Sequence, residues 1–257
     1  MDALLERRGP NVLLDQIYAT RTVEDSRGNR FDPFPVAISY NEGRALYRLA
    51  RKARARRILE VGMGYGISTL FLCQALRDNG GGVYAAVDPL ERTRWRSIGL
   101  RNLQNAGLED LVTLHEAPSY EVLPQLLRER ERYGLIFIDG AHQLDYVFVD
   151  AFYADKLLEP EGFLVFDDVW ARPVARAAAL FCRPGRYRRV PGSSGPHPSP
   201  LWRLLSQSPW FLRALAKNPR WFFGGGRGSY WWTFQKMQDD FLPRAYTLAN
   251  RDSSTLA

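Results

Sequence analysis

From about residue 40 onward, short apolar runs alternate with stretches whose apolar residues recur at helical spacing. Residues 57–61 (RILEV) read as a strand, glycines follow at once, and residues 68–76 repeat apolar positions with the period of a helix. The same unit recurs as strand 82–88 with helix 95–106, strand 112–115 with helix 120–132, and strand 135–139 with helix 146–158, before a fifth strand at 162–168. Five strands alternating with helices predict a parallel sheet covered on both faces. Beyond 168 the pattern loosens into a helix at 171–182 and strands at 186–190 and 229–237, the last rich in aromatics. Between those two strands, residues 191–228 are rich in proline and glycine around two short apolar-basic helices, 201–207 and 210–217. The organisation expected is an amino-terminal helical cap over 1–45 and one domain over 46–257, carrying 191–228 as an insertion.

Composition narrows the class. With 257 residues, 46% hydrophobic and 25% charged, the chain has material for one large core and is neither disordered nor fibrous. No run approaches the roughly 18 uncharged apolar residues of a spanning helix, and the first ten residues lack an apolar signal core, so neither a spanning nor a secreted protein is expected. Cys73 and Cys182 stand far apart without a C-x-x-C pairing, which argues against a disulfide scaffold or structural zinc and fits the reducing cytoplasm. Three histidines exclude a His-rich metal site. The net charge of +7 is local: residues 169–238 hold twelve bases and no acid, leaving 23 bases against 28 acids, a balance of −5, elsewhere.

Candidate chemistry lies where strands end. Glu60, Asp88, Asp139 and the pair Asp167-Asp168 fall at or near the carboxyl ends of four of the five strands, the edge at which open α/β sheets bind ligands. A single acid there is commonly a cap or turn residue. Glu60-Val61-Gly62-Met63-Gly64-Tyr65-Gly66 sets an E-x-G-x-G-x-G loop between strand and helix, where glycines permit a tight turn and the helix start offers unpaired N–H groups. It could be a plain glycine-rich turn, and it departs from the G-x-G-x-x-G dinucleotide fingerprint. Asp88, 26 positions after Gly62 at the end of the next strand, is placed for a carboxylate to accept both hydroxyls of a ribose.

In these motifs, together with Ile38-Ser39-Tyr40-Asn41-Glu42-Gly43, the chain resembles the class I S-adenosylmethionine-dependent methyltransferases from about residue 38 to 169, and among them the small-molecule O-methyltransferases. The resemblance implies a Rossmann-like, doubly wound, mostly parallel seven-stranded sheet with helices on both faces and an antiparallel last strand. It also implies that Glu60, Gly62, Gly64, Gly66 and Ser68 surround the methionine end of S-adenosylmethionine and that Asp88 holds the ribose. Where the family often has Gly-Asp near the adenine, this chain has Glu116-Ala117-Pro118-Ser119, which makes Ser119 or neighbouring backbone the expected adenine contact.

Asp139, Asp167 and Asp168 end two strands expected to be neighbours, and carboxylates so close raise one another's pKa unless a hard divalent cation compensates. Helix capping by Asp139 and ordinary surface acids are the plainer alternatives. The same region is similar to metal-dependent O-methyltransferases of the catechol and macrolide-sugar types, which implies that Asp139, Asp167 and Asp168 hold magnesium or another divalent cation. That resemblance puts His142 where the catechol type has a lysine base; an imidazole of ordinary pKa near 6.5 suits removal of a hydroxyl proton, alone or with Asp139. A solvent-facing or capping role for His142 is the alternative.

The expected activity is methyl transfer from S-adenosylmethionine to a hydroxyl of a sugar, polyketide, phenol or lipid-like small molecule. The rivals are a metal-free N- or O-methyltransferase and a non-catalytic binding protein that keeps the cofactor fold at a membrane surface. The basic aromatic stretch 199–228 has three readings: a packed surface insertion, a substrate lid, or a peripheral anchor on anionic lipid. Nucleic acid ranks below these, because no strand-borne stacking platform or binding motif is present. Nothing in the sequence decides the oligomeric state.

Overall fold

A computed structural model describes residues 10–34, 36–190 and 231–237. The amino-terminal part comprises α1 (Val12–Thr20), a hairpin of β1 (Val23–Glu24) and β2 (Arg30–Phe31), and α2 (Tyr40–Lys52). There follow β3 (Arg57–Val61), α3 (Ile67–Asp78), β4 (Val83–Val87), α4 (Ile98–Ala106), β5 (Val112–His115), α5 (Ser119–Arg128), β6 (Tyr133–Ile138), α6 (Leu144–Leu157), β7 (Leu158–Phe166), α7 (Arg172–Phe181), β8 (Tyr187–Arg189) and β9 (Trp232–Lys236). The main sheet has seven strands in the order β5-β4-β3-β6-β7-β9-β8, parallel from β5 to β7, with β9 antiparallel to both its neighbours. This is the Rossmann-like arrangement that the sequence leads one to expect.

The strands divide their side chains between two cores, as a sheet buried on both faces requires. Ile58, Tyr84, Ala86, Leu135 and Phe137 pack with α1 to α4, while Leu59, Ala85, Ile136 and Ile138 pack with α5 to α7. Register aligns the strand ends. Val61 stands opposite Val87 and Ile138, and Ile138 opposite Phe166, so Gly62, Asp88, Asp139 and Asp167 form one row just beyond the carboxyl edge. Backbone bonds continue into that row, from Gly62 N to Val87 O (2.9 Å), Asp139 N to Val61 O (2.8 Å) and Asp167 N to Ile138 O (3.0 Å).

Several elements depart from the sequence pattern. The β1–β2 hairpin lies inside the expected helical cap, built on Asp25, whose Oδ1 accepts from the backbone N–H groups of Arg27 and Asn29. Helix α2 spans the expected boundary at 45, and a turn over 53–56 leads from it into β3. Helix α4 begins at Ile98 and not at 95, because Arg96 and Ser97 take left-handed backbone (φ 58° and 57°) that no helix continues through. The short helices expected at 201–207 and 210–217 fall outside the described residues. The chain leaves the described part at Val190, whose N–H donates to Thr233 O (2.9 Å), and Trp232 pairs with Phe166, so both roots of the insertion lie at the carboxyl edge beside Asp167. Among the described residues no helix is long and apolar enough to cross a membrane.

Candidate active site

The glycine loop is shaped by close approach. Gly62 has φ 91°, and a Cβ there would stand 2.1 Å from the carbonyl oxygen of Asp139, so β3 and β6 can converge only around glycine. Gly66 (φ 73°) starts α3 and passes so near Gly99 that a Cβ would lie 3.0 Å from its Cα. Asp88 fastens the loop from the neighbouring strand: Oδ2 accepts from Met63 N (3.0 Å) and Gly64 N (2.9 Å), and Oδ1 from Leu90 N (2.8 Å). Of the about four acceptor positions on a carboxylate, the chain itself uses three. Asp88 therefore has one acceptor position left towards the cleft.

Glu60 lies beneath the loop and not in the cleft. Fully buried, it accepts from Ser68 Oγ (2.5 Å), Thr69 Oγ1 (2.5 Å) and Tyr84 Oη (2.7 Å). Burial pushes its carboxyl up to about 7 against the pull of those three hydroxyls. It ties the first turn of α3 to β3 and β4 and reaches the cleft only through Ser68.

On the other side of the loop, Asp139, His142 and Asp168 each present a ligand atom within 4.8 Å of one another. His142 Nε2 stands 2.9 Å from Asp168 Oδ2, and Trp170 Nε1 donates to Asp168 Oδ1 at 2.6 Å, so both oxygens of Asp168 are held. Desolvation and the charges of Asp167 and Asp168 push the Asp139 carboxyl well above the carboxylate range, and desolvation with Asp168 does the same to Asp167. The hydrogen bond that His142 donates to Asp168 lifts its imidazole above the ordinary value. Such mutually repelling acids with an imidazole beside them are a donor set that fits a divalent cation. The grouping differs from the expected Asp139, Asp167 and Asp168: His142 takes the place of Asp167, which remains in the strand-end row outside the cluster.

These parts open into one cleft of about 630 Å³, within the range of small-molecule sites. Of the residues expected from sequence, Gly62, Gly64, Ser68, Asp88, Ser119, Asp139, His142 and Asp168 line it, while Glu60, Gly66 and Asp167 do not. Ile38, Tyr65, Arg94, Trp95, Tyr146, Asp150 and Trp170 also contribute to the wall. For Asp150 a signal existed: it shares the buried stripe Val147, Ala151 and Ala154 of α6, where an acid is out of place.

A glycine loop, a carboxylate at the next strand end and an acidic cluster on a mostly parallel sheet define an α/β domain built to bind a nucleoside cofactor. Residues 59–169 match the family model described as a methyltransferase domain. The chain is 30% identical over 145 residues to a catechol O-methyltransferase of Niastella koreensis, covering 56% of each protein. It is 30% identical over 135 residues to a catechol O-methyltransferase of Mycobacterium tuberculosis, covering 52% of this chain and 57% of that one. The chain thus spans little more than half the length of these curated relatives. The fold is shared with an O-methyltransferase from Bacillus cereus in complex with SAH, at a TM-score of 0.62 and 18% identity over 88% of this chain and 90% of that one. The matched region is a class I S-adenosylmethionine-dependent methyltransferase domain related to small-molecule O-methyltransferases.

Proposed function

We propose that the protein transfers the methyl group of S-adenosylmethionine to a hydroxyl oxygen of a small molecule such as a sugar, polyketide, phenol or lipid-like compound. The observation that carries this reading is that the Asp139–His142–Asp168 cluster opens into the same cleft as the glycine loop and Asp88. The loop backbone and Ser68 face the methionine end, Asp88 offers its remaining acceptor position to the ribose, and Ser119 stands at the adenine end. With Nε2–H donated to Asp168, a neutral His142 carries its lone pair on Nδ1 and accepts the proton of the acceptor hydroxyl there. Holding donor and acceptor in one cavity supplies much of the rate, since the sulfonium methyl is already activated.

Asp139 and Asp168 would hold a divalent cation beside His142, magnesium first among those to try, whose chemistry when bound is to acidify the acceptor hydroxyl and offset the clustered carboxylates. A metal-free reading is favoured by one observation: both oxygens of Asp168 are already engaged, as in a base oriented for proton transfer. Activity with a panel of hydroxyl acceptors and labelled methyl donor decides between them. Loss with chelator and recovery with magnesium supports the cation, whereas indifference to both leaves His142 as the base alone. His142→Ala is expected to lower turnover at least a hundredfold while S-adenosylhomocysteine affinity stays within about twofold; unchanged turnover overturns its role.

A further inference from the structure

Helix α6 is the middle helix of its layer, with α5 packed on one side and α7 on the other, and its buried stripe of Val147, Ala151 and Ala154 joins the core. The outward side of a helix so placed is ordinarily polar. On α6 it is apolar: Phe148 is 39% and Phe152 40% exposed, Val149 and Tyr153 are half-buried, and Leu144 and Leu180 of α7 extend the exposed apolar surface. Phe181 of α7 stands beside them, its ring centroid 4.9 Å from Phe148 and 6.4 Å from Phe152, and Tyr153 meets Phe152 edge-on at 5.1 Å. At about 200 Å² for a large apolar side chain, the exposed parts of Leu144, Phe148, Phe152 and Leu180 come to about 300 Å². That suits the apolar centre of an interface of about 800 Å² per partner, ringed by polar residues.

The order of residues along α6 says what covers this face. At about 100° per residue, Asp145, Phe148, Val149, Phe152, Tyr153 and Lys156 fall within an arc of about 140°. They form a series of acid, two apolar residues, two apolar residues and base, centred on the middle of the helix. Turned end for end, the series repeats its apolar positions and exchanges its charges. A second α6 laid antiparallel on the first, with a twofold axis between Asp150 and Ala151, sets Asp145 against the partner's Lys156, Phe148 against the partner's Tyr153 and Val149 against the partner's Phe152. A parallel arrangement sets acid against acid and base against base. Such self-complementarity is what a twofold contact requires, because both copies present the same patch; a lipid surface or an unrelated protein imposes no such order on the charges.

We infer that the outward face of α6, with Leu180 and Phe181 of α7 at its side, is the surface through which two copies of this chain associate, antiparallel across a twofold axis. The contact reaches the cleft through the first turns of α6: Gln143 and Tyr146 belong to the cleft wall, and Asp145 between them takes the charge of the partner's Lys156. The inference stands apart from the methyl-transfer reading and does not depend on which cofactor the cleft binds.

Sedimentation equilibrium of the full chain at micromolar concentration tests it. The wild-type protein is expected at twice its chain mass of 29.4 kDa. Phe152→Glu, at an exposed position, is expected to weaken association at least a hundredfold while circular dichroism keeps its wild-type form. Asp145→Lys sets two cations together and is expected to weaken it about tenfold, and adding Lys156→Asp, which restores opposite charges in reversed order, to recover it to within about threefold. That recovery belongs to the antiparallel register alone, so a double variant no better than Asp145→Lys overturns the inference. A dimer that Phe152→Glu leaves intact lies on another surface and overturns it too. A monomeric wild-type protein overturns it as well, and if removal of residues 191–230 then lets the chain pair, that segment is the cover of the face.

Discussion

At the scale of single residues, the acids of this chain do different work although they share strand ends. Asp88 binds backbone, Glu60 binds hydroxyls, Asp168 holds an imidazole and an indole, and each task follows from the donors within reach. Glu60 offers a stability test. Its carboxyl is raised by burial to about 7 from an ordinary value of 4.5, so the folded protein binds this proton more tightly than the unfolded chain does. The stability it contributes is therefore full below about pH 4.5, is lost as pH rises towards 7, and changes little above. The loss is about 3 kcal/mol over that window at about 1.4 kcal/mol per pH unit. Thermal melts are expected to show a shallower decline for Glu60→Gln than for the wild type between pH 4.5 and 7; parallel curves would show that the group does not titrate there.

At the scale of elements, the start of α2 ties local sequence to the site. Ser39 caps the helix, accepting from Glu42 N at 3.3 Å, while Glu42 Oε2 accepts from Ser39 N at 2.7 Å, and the residues just before, Ala37 and Ile38, line the cleft. Ser39→Ala removes half of this reciprocal cap and is expected to cost about 1 kcal/mol in denaturant unfolding. A value near zero would assign the helix start to packing alone. Elements with such plain signals were legible beforehand. The central strands are unbroken apolar runs because both faces are buried, and their order of alternation with helices is enough to predict a parallel sheet. The β1–β2 hairpin was not legible, since two-residue strands have no period and its turn rests on the side chain of Asp25. Nor was the displaced start of α4, which depends on left-handed backbone at two non-glycine residues. Within the cleft, the loop and Asp88 were legible in motif and spacing, and His142 only through the resemblance to the catechol type. Which of two adjacent acids meets His142 was not legible, because Asp168 carries φ 50° and no propensity announces it.

At the scale of the molecule, charge and architecture are separable. Residues 191–230 contribute five bases and no acid, and both ends of that segment meet the sheet at neighbouring antiparallel strands. A short turn joining Val190 to Trp231 should therefore close β8 and β9 as a simple hairpin. The shortened protein is expected to keep its affinity for S-adenosylhomocysteine and its cooperative melting, and its net charge falls from +7 to +2. If the segment gives peripheral contact with an anionic membrane, flotation with anionic liposomes is lost in the shortened form and absent for both forms with neutral lipid. Equal flotation of the two would place that contact elsewhere.

The row formed by Gly62, Asp88, Asp139 and Asp167 acts as a ruler. Neighbouring strands lie about 4.8 Å apart, and a strand can shift only by whole residues, each of which turns every side chain to the opposite face. The separations between Gly62, Asp88 and Asp139 in the cleft wall are thus graduated by the ladder itself and cannot be tuned by small adjustments. Any change in the shape of the cleft must therefore come from the segments that hang from the row and not from the row itself.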